Sequence, residues 1–144
     1  MPADRPTRAK GRKVNTSKKG VPLPAELSQR LEHLASLPQN WDSYGAAPIC
    51  PTVIKRAREV LQEALAVGGN DIPLPFIAPS PDGGLELEFE TESRKELMLD
   101  IPPAEGPLAF LLVEPTSQGQ ERETEGTING SHSLEEVIKR LLVR

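Results

Sequence analysis

Carboxylates at alternate positions are the residues of this sequence whose type and spacing come closest to a chemical pattern. Residues 85–90 read Leu-Glu-Leu-Glu-Phe-Glu, and residues 96–101 alternate in the same way. Because alternate side chains of a strand point to opposite faces, we expect the carboxylates of both segments to share one face of a sheet. Those residues are Glu86, Glu88, Glu90, Glu96 and Asp100.

These carboxylates lack a setting for catalysis. A carboxylate pair acts as general acid and base only where a pocket separates the two pKa values, and an open sheet face provides no such pocket. Carboxylates at a period of two also lack the loop geometry that wraps calcium. We therefore interpret the segment first as a solvated polar face, second as a docking face for a basic partner, and last as a catalytic pair.

The other nucleophilic and metal-ligating residues are few. Cys50 is the one cysteine, and the two histidines, His33 and His132, lie far apart in the sequence. Neither a phosphate-binding loop, a nucleophile elbow nor a pair of Cys or His at metal spacing is present. We therefore predict that the chain has no catalytic, metal-binding or cofactor-binding residue. We also predict that the protein is not an enzyme. An enzyme using Cys50 as an activated thiol at a helix N-terminus is kept as an alternative.

Charge divides the 144 residues into two parts. Residues 1–19 contain seven of the 17 basic residues and one of the 21 acidic ones, so they carry +6, and the remaining 125 residues carry −10. Residues 1–20 also lack apolar periodicity, which predicts a disordered basic tail. Such a tail indicates either an electrostatic arm for nucleic acid or a solubilising segment, and it has no aromatic residue to stack on bases.

Two helices are predicted before the sheet. Leu27, Leu31 and Leu34 recur at the spacing of an amphipathic helix that runs to about Leu37. A second helix is predicted from about Pro51 to Val67, with proline at its first position and glycine after its end. Its predicted apolar face consists of Ile54, Ala57, Leu61, Ala64 and Leu65. We expect these two helices to pack as an N-terminal helical hairpin.

The connection between the helices contains the only tryptophan and the only tyrosine, within Asn40-Trp41-Asp42-Ser43-Tyr44-Gly45-Ala46. Turn-forming residues around two large rings predict a structured turn made by Asn40, Trp41, Asp42, Tyr44 and Gly45. Because only 3% of the residues are aromatic, we expect Trp41 to be mostly buried between the helices and an edge of the sheet. An exposed aromatic hot spot of Trp41 and Tyr44 is the alternative.

The period changes to two in the second half of the chain. Residues 76–78 lie between prolines and predict an edge strand, and Asp82-Gly83-Gly84 predicts a hairpin turn. Residues 108–113 are almost wholly apolar, which predicts a strand covered on both faces or a central strand, and a polar strand follows at about 121–128. The short turns predict an antiparallel meander of four to five strands.

A capping box formed by Ser133 and Glu136 predicts the start of a C-terminal helix. We expect that helix to pack on the apolar face of the sheet, because such a face needs a cover. The predicted fold class is therefore α+β, with residues 21–144 as a single domain. No apolar run approaches the ~20 residues of a membrane span, and the single cysteine and missing signal peptide favour the cytoplasm.

The turn and hairpin motifs carry a resemblance. The pattern Leu37-Pro38-x-Asn40-Trp41-Asp42-x-Tyr44-Gly45-Ala46, a proline-led helix and Pro81-Asp82-Gly83-Gly84 resemble a group of small uncharacterised bacterial proteins, over roughly residues 27–142. The resemblance implies a bacterial, cytoplasmic, single-domain protein and implies no activity. By analogy, such proteins act through partners as accessory, antitoxin-like or phage-related components.

Two functions from different classes follow from the sequence. The first is a non-enzymatic interaction protein that binds a protein partner through the acidic sheet face. The second is weak, sequence-independent nucleic-acid binding through the basic residues 1–20. Neither function involves a cofactor or a membrane.

Overall fold

The computed structural model describes residues 21–143. The predicted disordered tail, residues 1–20, lies outside the described residues. Two helices open the described chain, α1 (Ala25–Ala35) and α2 (Pro51–Gly68), and a 3₁₀ turn follows at Gly69–Asp71. The remaining elements are β1 (Phe76–Pro79), β2 (Leu85–Glu90), β3 (Glu96–Ile101), β4 (Ala109–Pro115), β5 (Glu121–Thr127) and α3 (Leu134–Leu142).

The five strands form one antiparallel sheet in the order β1-β2-β3-β4-β5. The predicted α+β class and the antiparallel meander are thereby confirmed. The β1–β2 turn depends on glycine, because Gly83 has φ +98° and a Cβ on Gly84 would overlap the carbonyl oxygen of Ile101. The carboxylate of Asp82 accepts the N–H of Gly84 at 3.0 Å and closes the turn.

One face of the sheet, here called the inner face, packs on the helices. Every strand residue that belongs to the core lies on this inner face. These residues are Ile77, Leu85, Leu87, Phe89, Leu97, Leu99, Ile101, Phe110 and Leu112. The helices contribute Leu27, Leu31 and Leu34 from α1, and Leu134, Val137, Ile138 and Leu141 from α3. The opposite face, here called the outer face, therefore lies away from this core.

The buried side of α2 differs from the predicted one. Val53, Ala57, Leu61 and Ala64 are buried, whereas Ile54 and Leu65 are only partly buried. Successive residues of a helix point about 100° apart, so a stripe that includes Val53 turns Ile54 toward the border of the core. Ile54 and Leu65, which were predicted for the apolar face, do pack against the core, but at its border, and the prediction omitted the buried Val53.

Strand β4 lies between β3 and β5, so its predicted interior position in the sheet is confirmed. The alternative of a strand covered on both faces is wrong. Phe110 and Leu112 are buried on the inner face. On the outer face Val113 is buried, but Leu111 is partly exposed and Ala109 is exposed. Apolar composition alone did not distinguish these environments, because neighbouring strands shield part of an uncovered face.

The predicted capping box at α3 is confirmed. The Ser133 hydroxyl accepts the Glu136 N–H at 3.1 Å, and the Glu136 carboxylate accepts the Ser133 N–H at 2.9 Å. Both donors would otherwise lack an intrahelical partner, so the box fixes where α3 begins. None of the helices between residues 21 and 143 has the length and apolar character needed to cross a membrane.

Candidate interaction surface

The outer face of the sheet gathers eight carboxylates. Cross-strand partners share a face, and the register places on this side Glu86, Glu88 and Glu90 of β2, Glu96 and Asp100 of β3, and Glu121, Glu123 and Glu125 of β5. We call this set the acidic face. In the five described strands, no lysine or arginine takes an outer-face position.

All five carboxylates predicted from the sequence lie together on the acidic face. The three β5 glutamates were predicted only as part of a polar strand, because their face depends on the register with β4. Glu123 pairs with Val113, and Glu125 pairs with Leu111, whose other cross-strand partner is Met98. This chain of partners joins the β5 glutamates to the carboxylates of β2 and β3.

Like charges face each other directly in the β2–β3 pair. Glu86 is the cross-strand partner of Asp100, and Glu90 is the partner of Glu96. Directly opposed like charges destabilise a sheet. Partial burial, together with Glu88 and Asp100 nearby, raises the pKa of Glu86. Within the described strands these carboxylates therefore repel one another, and a cation bound at this face would reduce the repulsion.

An apolar patch lies among these carboxylates. It consists of Met98 of β3 and of Ala109, Leu111 and Val113 of β4. Val113 is buried, Met98 and Leu111 are partly exposed, and Ala109 is exposed. Outside the patch, Phe76 of β1 occupies the same face beside Glu88 and is 61% exposed. The surface can thus contact apolar side chains and cations at the same time.

The polar side chains of the aromatic turn bind its own backbone. The Asp42 carboxylate accepts the N–H groups of Tyr44 at 2.8 Å and Ala46 at 3.1 Å. The Asn40 side-chain oxygen accepts the N–H of Gly45 at 2.6 Å. These bonds stabilise a backbone with positive φ at Asn40, Ser43 and Gly45, so the polar residues have a local structural role.

The two aromatic residues of this turn have different environments. The indole N–H of Trp41 donates to the carbonyl of Ala47 at 2.8 Å, and its ring is partly buried. Tyr44 is 92% exposed. Of the two residues in the exposed-pair alternative, only Tyr44 is exposed. Hydrogen bonds from the N–H groups of Ala47 and Cys50 to the carbonyls of Pro81 and Gly83 attach the connection to the β1–β2 turn.

Cys50 and the two histidines each lie in a different part of the described structure. Cys50 is partly buried at the N-cap of α2, and His33 is exposed on α1. A ring nitrogen of His132 lies 3.2 Å from the Ser131 hydroxyl, and its ring meets Phe110 edge-on. Across residues 21–143, no group of three or more His, Cys, Asp or Glu is placed to hold a metal ion.

An ion cluster around a buried carboxylate on the inner side of the sheet was not predicted from the sequence. Glu114 of β4 is 6% exposed, and its oxygens lie 3.5 Å from Lys95, 3.2 Å from Arg122 and 2.9 Å from Arg140. We call these four residues the Glu114 cluster. Burial alone would raise the pKa of Glu114, but the hydrogen bonds and charges of its three cationic partners outweigh it and lower the pKa.

The Glu114 cluster connects four parts of the chain that are separated in sequence. It joins the turn before β3, the end of β4, β5 and α3, and the Lys95 ammonium also donates to the carbonyl of Arg140 at 2.7 Å. Because these parts are separated in sequence, no local motif could have indicated the cluster. Its arrangement stabilises the packing of α3 against the sheet.

Comparison with known proteins finds no match among protein-family models, curated proteins or solved structures. The resemblance of the turn and hairpin motifs to small bacterial proteins stays a prediction.

Proposed function

We propose that this protein is a non-enzymatic interaction protein that binds a basic protein partner through the outer face of its sheet. The observation that carries the proposal is the acidic face itself. Eight carboxylates surround an apolar patch there, and no outer-face strand position of the described chain holds a cation. Two like-charge pairs lie directly opposite each other, which disfavours the free sheet and favours a cationic occupant.

The surface chemistry specifies the partner. Cations would pair with the carboxylates of β2, β3 and β5, and apolar side chains would cover Met98 and Leu111. Charge attraction speeds association, whereas the apolar contacts contribute to affinity once water is excluded. We therefore expect a partner surface in which Lys or Arg alternates with apolar residues.

Charge reversal tests the proposal. The variant Glu86→Lys/Glu88→Lys/Glu90→Lys should abolish the capture of a basic partner from the native host at low salt. The matched control, Glu26→Lys/Glu32→Lys/Asp71→Lys, makes the same change in net charge at exposed positions of α1 and the 3₁₀ turn. This control should keep most of the binding. Equal loss in both variants would show a general charge effect and would refute the proposed surface.

Weak nucleic-acid binding is the alternative function. Its support is the +6 charge of residues 1–19, and the −10 charge of the remaining chain opposes it. Replacement of the seven cations of residues 1–19 by glutamine should abolish an electrophoretic shift of duplex DNA if this function is correct. A shift that persists in this variant would refute it.

We also propose that α1 and α2 form a helical hairpin and that the protein is bacterial and cytoplasmic. The helical hairpin is supported by Leu27, Leu31 and Leu34 of α1, which belong to the same core as Ala57 and Leu61 of α2. The bacterial origin and the cytoplasmic location are supported by the motif resemblance and by the single cysteine.

A further inference from the structure

We infer that the basic segment, defined as residues 5–19 of this same chain, occupies the acidic face until a partner displaces it. The inference builds on the proposed function, because it names the competitor for that surface. Charge complementarity is its first support. The segment contains seven cations, and the face presents eight carboxylates with no cation among its strand positions.

The route of the chain is the second support. Both Nε and Nη2 of Arg30 donate to the carbonyl of Ile77, at 3.2 and 3.0 Å, so α1 is attached beside the edge strand β1. The described chain begins at Val21, nine residues before Arg30. The basic segment thus precedes a helix that is attached at the β1 edge of the sheet, and the next two strands from that edge, β2 and β3, hold five of the eight carboxylates.

The segment is long enough to reach the whole face. Five strands span about 19 Å between the outermost ones, given a spacing of about 4.8 Å. An extended chain covers about 3.3 Å per residue, so 15 residues can reach about 50 Å. A short tether also gives an effective concentration of the order of millimolar, so even weak attraction keeps the face occupied for much of the time.

The composition of the segment makes this occupancy reversible. Val14 is its one large apolar residue, so the segment can neutralise carboxylates but cannot cover the apolar patch. A partner with both cations and apolar side chains makes the additional contacts and displaces it. Because the intrachain contacts are exposed charge pairs, salt should weaken them strongly.

Paramagnetic broadening tests where the segment lies. A nitroxide on Thr16→Cys, in a full chain with Cys50→Ser, should broaden the methyl signal of Met98 on the outer face far more than the methyl signals of Ile138 in α3. The difference should disappear at about 0.5 M salt, where the Debye length falls to roughly 4 Å. It should also disappear when the seven cations are replaced by glutamine. Equal broadening of both residues would overturn the inference.

A mixed sample identifies which chain supplies the segment. Isotope-labelled protein without nitroxide is combined with unlabelled protein that carries it. The Met98 signal should remain sharp, because the segment acts within its own chain. Broadening of Met98 in this mixture would assign the contact to a second copy and would overturn the intrachain assignment.

A peptide-binding experiment distinguishes the failure of this inference from the failure of the proposed function. A synthetic peptide of alternating lysine and leucine should bind the seven-glutamine variant about 3- to 10-fold more tightly than the native chain, because a competitor has been removed. Equal affinity for both chains would overturn the inference alone. Peptide binding that survives Glu86→Lys/Glu88→Lys/Glu90→Lys would instead refute the proposed function.

Discussion

Carboxylates meet opposite conditions in two regions of this sheet. On the inner side, Glu114 is nearly buried and lies within 3.5 Å of three cations. On the outer face, Glu86 opposes Asp100 and Glu90 opposes Glu96, with no cation at a strand position of the described face. The same residue type therefore stabilises the fold in one region and disfavours it in the other. Repulsion on the outer face is unnecessary for folding, which is why we relate it to binding.

The largest expected effect comes from removing the compensated charge. Glu114→Gln should destabilise the protein by about 2–3 kcal/mol at pH 7, because Lys95 and Arg140 would lose their carboxylate partner. This loss is smaller than for a fully buried pair, since Arg122 and Arg140 reach water. Urea unfolding of both chains measures the difference. An unchanged midpoint would show that the Glu114 cluster does not stabilise the fold.

Acid should remove that difference. The pKa of Glu114 is lower in the folded chain than in the unfolded one, so its ionised form contributes stability above the unfolded pKa. This contribution is lost as the pH falls through the folded pKa. The gap in unfolding free energy between native protein and Glu114→Gln should therefore shrink on acidification. A gap that stays constant down to pH 2–3, about two units below an ordinary glutamate pKa, would contradict the ionic role.

Removing an opposed pair from the outer face should have a smaller effect of the opposite sign. In the seven-glutamine variant, whose residues 5–19 no longer neutralise the face, Glu86→Gln/Asp100→Asn should stabilise the protein by roughly 0.5–1 kcal/mol at pH 7, because it relieves cross-strand repulsion. The pKa of Glu86 is raised, so its ionised form disfavours folding, and this penalty disappears as the pH falls through that value. The gain in thermal midpoint should vanish in acid, whereas a loss of stability at pH 7 would refute the repulsion.

Salt should produce the smallest effect. Raising the salt concentration from about 20 mM to about 0.5 M should stabilise the seven-glutamine variant by a few tenths of a kcal/mol through screening of the acidic face, because in this chain residues 5–19 no longer attract the carboxylates. The same variant with Glu86→Gln/Asp100→Asn added should gain less, and comparison of the two urea midpoints removes salt effects common to both chains. Equal gains would place the screened repulsion elsewhere on the molecule.

Local patterns predicted the elements well. The strict alternation of residues 85–90 and the similar pattern of residues 96–101, which Met98 interrupts, gave the bounds of β2 and β3. The Ser133–Glu136 box gave the start of α3. Each depends on neighbours in sequence. The face shared by Glu86 and Asp100 could also be predicted, because one short turn fixes which residues pair.

Features that depend on distant parts of the chain escaped prediction. The Glu114 cluster needs four parts of the chain, and Glu123 and Glu125 joined the acidic face only through the register of β4 with β5. Val53 was missed because the rotation of a helix about its axis is set by the core it meets. Environments fixed by tertiary packing leave little trace in a window of a few residues.

The edges of the sheet bear on how copies of this chain behave at high concentration. Strand β1 contains Pro79, follows Pro75, and has the Ile77 carbonyl bound by the guanidinium of Arg30. At the other edge, residues 121–123 of β5 are all charged. Proline, a covered carbonyl and charged side chains each discourage a further strand from adding to an open edge. The sheet therefore resists growth into fibrils, and a partner is directed to its face.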